Sequence, residues 1–143
     1  MNVRERLRAL LRDIRTDLCA CQQLENLLLE QQRLLSRQEG QALTDLGQSI
    51  LSHIDGIRQR AGDRAGHLQA LGLPAGTEGI AILATKLPDS IRGPLLRDWE
   101  ALEKALSRCK TLNERNGELL ASHRAALATL TGQPLNQYGH ESG

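Results

Sequence analysis

Apolar positions in the last part of the chain fall on a heptad beat. Leu95, Trp99, Leu102, Leu106, Cys109, Asn113, Asn116, Leu120, His123, Leu127 and Leu130 follow one another by fours and threes. A 4-3 stripe sustained this long marks a long helix packed coiled-coil fashion on other helices. Asn113, Asn116 and His123 break its second half with polar groups, which weakens packing in the seam. The chain opens on a similar stripe: Val3, Leu7, Leu10, Ile14, Asp17, Cys21, Leu24, Leu28, Gln31 and Leu35. Leu11, Leu18, Leu27 and Leu34 lie beside it and widen the apolar face enough to meet more than one partner helix. The pattern predicts a first helix over 2–36, roughly 50 Å long at the α-helical rise.

Between these stripes a helix is predicted over 39–71, on Leu43, Leu46, Ile50, Ile54, Ile57, Ala61, Ala65 and Leu68. Its mean spacing is nearer 3.6 than 3.5 residues, so it should be straighter than the other two. Gly40, Gly47, Gly56, Gly62 and Gly66 each cost helix stability of about 1 kcal/mol against Ala, which predicts the least stable long element. Ser36-Arg37-Gln38-Glu39 has the form of a capping box and predicts a break before this helix. One bent helix running straight through is the alternative. Leu71-Gly72-Leu73-Pro74 reads as its stop.

Glycines and prolines punctuate 72–94. Within that connection Thr77 is placed to cap a short helix over 78–86, with a short buried strand as the rival for Ile80–Ala84. The last helix should begin near Pro94 and stop at Thr131-Gly132-Gln133-Pro134. The fold class expected is all-α: an elongated bundle of three long helices with coiled-coil-like packing and a short connecting helix. It forms one domain over 1–132, with a flexible tail over 133–143. The first and last helices share the 3.5-residue period and are expected to make the main contact, in antiparallel sense.

Composition narrows the function classes. The 143 residues carry a net charge of +1, which gives no whole-molecule drive toward nucleic acid or anionic membranes. The N-terminal arginines, Arg4, Arg6, Arg8, Arg12 and Arg15, alternate with Glu5, Asp13 and Asp17, so they read as a solvated helix face rather than a transit peptide. No apolar run approaches the roughly 20 residues needed to span a bilayer, and a cytoplasmic protein is expected. Cys19 and Cys21 point to different faces of one helix and cannot pair there. Cys21 and Cys109 fall on the stripes and read as small buried apolar residues.

Catalytic and metal-binding patterns are missing. None of His53, His67, His123 and His140 lies three residues after a glutamate, and there is no H-E-x-x-H, G-x-S-x-G or phosphate-cradling loop. Gly62 and Gly66 form a G-x-x-x-G that permits close packing at most in a soluble helix. Neither an enzyme nor a cofactor is expected. The chain reads as a helical protein that acts by binding.

Leu112-Asn113-Glu114-Arg115-Asn116-Gly117-Glu118-Leu119-Leu120 resembles the L-N-x-x-N-G-x-L-[IL] core of the FlgN-type flagellar export chaperones. Ala125 to Gly132 stands where that family has A-L-x-x-L-x-G. Leu71-Gly72-Leu73-Pro74 and Thr77-Glu78-Gly79-Ile80 resemble its second helix end and the start of its short middle helix. The glycines of the second helix are a departure. The resemblance implies a cytoplasmic chaperone of type III export. Such a protein binds the C-terminal helices of hook-associated proteins one and three, prevents their premature assembly and delivers them to the export gate. It implies client contacts at Asn113, Asn116, Gly117, Leu119, Leu120, Leu127 and Leu130, and gate docking through Tyr138. The residues themselves leave a second role open for Asn113 and Asn116, fixing helix register inside the bundle. They also leave Gly117 open as a site of close helix approach. A self-associating structural bundle is the alternative reading of the whole chain.

Overall fold

The structure is a computed structural model that describes residues 1–37 and 40–131, with backbone alone at 123, 124 and 126–131. The described residues form four helices and no strand: α1 (Val3–Arg37), α2 (Gly40–Ala70), α3 (Thr77–Thr85) and α4 (Asp89–Thr131). Residues 38–39 of the Ser36–Glu39 segment where a break is expected, and the tail over 133–143 with Tyr138, lie outside the described residues. Ser36 itself still belongs to α1, where its hydroxyl donates to the Gln32 carbonyl (3.2 Å).

α1 is the hub. Its seam runs through Leu10, Ile14, Asp17, Cys21, Leu24, Leu28 and Leu35, all buried, as the 4-3 stripe predicts, whereas Val3, expected on the same stripe, is 67% exposed at the first residue of the helix, and Leu7 and Gln31 are half-buried. The widened face serves two neighbours: α1 packs most extensively on α4 and then on α2. α2 runs antiparallel to α1, since Arg6 meets His67, Asp17 meets Arg60 and Gln23 meets His53. The main contact is the predicted pair, but its sense is parallel, not antiparallel. Arg15 meets Asp98, Cys21 meets Cys109 and Asn116 meets Leu28, so both helices ascend together. Topology requires this. α2 ends beside the start of α1, and the connection is too short to carry the chain back to the far end before α4 begins.

That connection is built by glycine and proline chemistry. Gly72 (φ 76°) ends α2. Its N–H reaches the Gln69 carbonyl (2.9 Å) and the Leu73 N–H reaches that of Leu68 (2.9 Å), the double bond pattern of a Schellman stop. Gly76 (φ 84°), not Thr77, is the N-cap of α3, and no side chain bonds there. Gly79 permits the close approach of α3 to the incoming loop, because a Cβ there would lie 1.8 Å from the Pro74 carbonyl oxygen. α4 starts at Asp89, earlier than Pro94 suggests. The Pro88 carbonyl accepts from the N–H groups of Ile91 (3.0 Å) and Arg92 (2.9 Å). Pro94 sits in the second turn, and the carbonyl it leaves unbonded belongs to exposed Ser90. The Arg92 guanidinium closes the end of α3 by donating to the carbonyls of Ala84 (2.9 Å) and Leu87 (2.8 Å).

α2 is the lightly held helix. Only Ile50, Ile57, Arg64 and Leu68 are buried in it, and the expected core positions Ala61 and Ala65 are exposed and half-buried. The G-x-x-x-G glycines mediate no packing: Gly62 and Gly66 are exposed, and a Cβ on either would meet nothing within 4 Å.

Candidate partner-binding groove

A polar node locks one end of the bundle. Asp17, on the α1 seam, is fully buried and pairs with both Arg60 and Arg64 of α2. Arg64 is itself buried, and its guanidinium carbon lies 5.8 Å from the ring centroid of Trp99 on α4, within cation–π range. Trp99 Nε1–H donates to Thr77 Oγ1 (3.3 Å), whose hydroxyl donates to Glu103 Oε2 (2.8 Å). The node thus ties all four helices together and bridges α2 to α4. Its signal in the sequence is an aspartate on an apolar stripe and two arginines four residues apart on the neighbouring helix.

Past this bridge α2 and α4 part. Among the described residues both pack on α1 but form no seam comparable with each other. The space between them is a trough with α1 as its floor. Its deeper section, about 250 Å³, is lined by Leu24 and Leu28 below, Ile54 and Ile57 on α2, and Leu106 and Cys109 on α4. A second section of about 480 Å³ continues it through Leu43, Ile50 and Leu51 on one wall and Leu120 on the other. Ile54 and Asn113 line both sections, so the trough is continuous. Leu51 is 62% exposed on its wall, an apolar side chain with no covering neighbour. From Leu106 to Leu120 the trough runs roughly 20 Å, about four turns of a helix. A larger depression, about 600 Å³, opens on the other side of the α1–α2 contact; Cys19, Ala20 and Gly56 line it together with polar and charged side chains such as Arg15, Gln23, His53 and Arg60, and it lacks the leucines and isoleucines of the trough.

The motif singled out in α4 divides across this geometry. Asn113 and Leu120 line the trough. Asn116 does not: it is 1% exposed and faces α1, where its Nδ2 donates to the Leu28 carbonyl (2.8 Å) and to Gln31 Oε1 (2.9 Å). Such an interhelical contact is of the kind that fixes helix register, and one asparagine of the two makes it. Gly117 is exposed with nothing within 4 Å of a Cβ, so no helix approaches it among the described residues. Leu119 is half-buried and lines neither section of the trough. Leu127 and Leu130 belong to the last turns of α4, where the side chains lie outside the described residues. The α2 wall, Leu43, Leu51 and Ile54, was not among the expected contact residues. The signal available was a leucine at 51 adjoining the α2 stripe rather than lying on it.

Cys109 lines the trough, but neither buried thiol brings reactive chemistry to it. Burial pushes the Cys21 thiol up to about 11 from an ordinary 9.0, helped by the neighbouring Cys109 and Asp17. Cys109, whose Sγ–H points at the Cys21 carbonyl (3.4 Å), is raised too, by burial first and then by Glu25. Both are inert apolar fillers, as their stripe positions predict. Among the described residues no group of three or more His, Cys, Asp or Glu side chains is placed to hold a metal ion, and no helix is long and apolar enough to cross a membrane.

A three-helix frame with an open apolar trough has the shape that helix-in-groove recognition uses. The chain belongs to the FlgN family, whose pattern it matches over residues 1–132 under the description FlgN protein. It is also similar to a crystal structure from Pseudomonas aeruginosa assigned as a flagella synthesis protein FlgN. That likeness has a TM-score of 0.72 and 28% sequence identity, and covers 78% of this chain and 85% of that one. No curated protein matches the chain. Family and structural neighbour together support a flagellar role.

Proposed function

We propose that this protein is a cytoplasmic chaperone of flagellar type III export. It holds the C-terminal amphipathic helices of hook-associated proteins one and three in the α2–α4 trough until they reach the export gate. The observation that carries this reading is the trough itself: past the Arg64–Trp99 bridge, α2 and α4 lean on α1 and, among the described residues, form no seam with each other, leaving a leucine- and isoleucine-lined channel open. A segment that assembles through an apolar helical face must have that face masked before export, and a channel about four turns long does so. Asn113 and Leu120 contact the client directly. Asn116 acts from below by fixing α4 on α1. Gly117 leaves the rim low, and Leu119, Leu127 and Leu130 extend the client surface along α4. Tyr138 serves the separate step of docking on the gate, where an aromatic gains large contact area for little side-chain entropy.

The test is binding of a hook-associated protein's C-terminal segment by titration calorimetry. Burial of one leucine contributes about 1.5–3 kcal/mol, so Leu120→Asp and Ile54→Asp should each remove most of the affinity while circular dichroism stays unchanged. Wild-type affinity in both folded variants would refute the trough as the site. A tight oligomer indifferent to the segment would favour a self-associating bundle instead.

A further inference from the structure

The trough carries a charge pattern that its apolar lining does not explain. Arg58 on α2 and Lys110 on α4 stand on opposite walls of its deeper section. Both are exposed, and neither enters an ion pair or hydrogen bond among the described residues. Among the described residues no Asp or Glu lines either section; the remaining polar lining is the neutral Gln31, Thr44, Gln48 and Asn113. The chain as a whole is close to neutral, at +1, so an acid-free channel with two free cations is a local arrangement rather than a share of a general excess. Some cations of this protein are paired across helices, as in Arg15 with Asp98 and Arg108 with Glu25, but what sets Arg58 and Lys110 apart is that they face each other across an apolar channel.

We propose that the trough selects its occupant by charge as well as by apolar contact. The partner is an amphipathic helix that carries carboxylates on both flanks of its apolar stripe, within the turn that seats between Arg58 and Lys110. This rests on the proposed chaperone reading and adds the chemistry of the client. Cations facing each other across an apolar channel leave a helix with lysines or arginines at its flanks unpaired against like charge, which discriminates against it. They meet a helix with Asp or Glu at those positions on both sides at once, and so fix its rotation and its depth along the trough. Exposed charges of this kind act mainly on encounter and specificity and are weakened by salt.

The experiment measures binding of the hook-associated C-terminal segment, and of a synthetic Leu/Ala helix flanked by Glu, Gln or Lys, to the wild-type protein and to Arg58→Glu/Lys110→Glu. The expected result is at least a tenfold loss for the client segment on the double variant, a loss that shrinks at high salt, with unchanged circular dichroism. The synthetic series should bind the wild type in the order Glu, Gln, Lys and reverse on the double variant. If the double variant binds the client as well as wild type while Ile54→Asp abolishes binding, the charge proposal is overturned and the chaperone reading stands. If the client binds neither protein, the chaperone reading falls. The synthetic series then still decides the charge proposal: an unreversed or flat order overturns it.

Discussion

At the Asp17 end all four helices meet: Arg60 and Arg64 clasp α2 onto α1, Arg64 over Trp99 bridges to α4, and Thr77 brings in α3. Beyond Ile57 and Leu106 no such bridge is present among the described residues, and α2 and α4 each pack mainly on α1. The same three long helices therefore make a closed core at one end and an open channel at the other. The difference lies in what joins α2 to α4, because the α1 seam is buried along both stretches. A rigid end lets the other end stay open without the helices drifting apart. A buried charge cluster is a poor source of net stability compared with apolar packing, but it is intolerant of losing a member. It is well suited to fixing one geometry.

The harshest way to break this contrast is Asp17→Ala. It leaves Arg64 buried with no countercharge, and removal of one partner from such a cluster costs about 3–5 kcal/mol. Chemical denaturation should show that loss. Replacing the cluster by apolar residues of similar size, Asp17→Leu with Arg64→Met, should recover much of it. If Asp17→Ala unfolds at the wild-type denaturant concentration, the node is not what holds the closed end.

A milder break uses glycine. Gly79→Ala forces a methyl against the Pro74 carbonyl in the closed end, and overpacking of this kind costs about 1–3 kcal/mol. Gly117→Ala, on the open end, meets nothing and should raise stability by up to about 1 kcal/mol. Thermal melts of the two variants should therefore move in opposite directions. A fall for both would mean that the exposed glycine has a packing role within the chain.

The closed and open ends were unequally legible in the sequence. Most of the α1 seam from Leu10 onward was readable, because a 4-3 stripe reports burial directly, and so were the stop at Gly72 and the inert Cys21 and Cys109; Val3, on the same stripe, is exposed because, among the described residues, the helix start has no neighbour to cover it. Asp17 stood on that stripe, but its partners did not stand out. Arg60 and Arg64 look like any solvated pair at helical spacing until the antiparallel register of α2 brings them opposite it. The sense of the α1–α4 pair was missed because periodicity carries no direction, and only the placement of the connection sets it. The trough was half legible. Asn113 and Leu120 lay in the α4 pattern, whereas Leu51 and Ile54 became a wall only once α2 was known to miss α4. An uncovered surface comes from two helices failing to touch, and no stripe on either one records that.

The smallest expected effect concerns the thiols, and it tests how dry the seam is beneath the trough. Cys21 and Cys109 are 0% and 4% exposed, while Cys19 lies on the outer face of α1. A thiol reagent under native conditions should modify Cys19 promptly and leave the other two until the bundle opens. The thiolate is the reacting form, and burial disfavours it. The same burial gives a pH signature. The folded state holds the Cys21 proton up to about pH 11, whereas an unfolded chain releases it near 9.0. Below 9.0 both states are protonated and the thiol adds no pH dependence. Between about 9 and 11 the unfolded state loses its proton first, so stability falls with rising pH. Cys109, raised by burial as well, adds a fall of the same sign. Denaturation midpoints measured across this window should therefore decline more steeply for the wild type than for Cys21→Ala/Cys109→Ala. Equal slopes, together with labelling of Cys21 as fast as Cys19, would mean that water reaches the seam and that the trough floor is not closed.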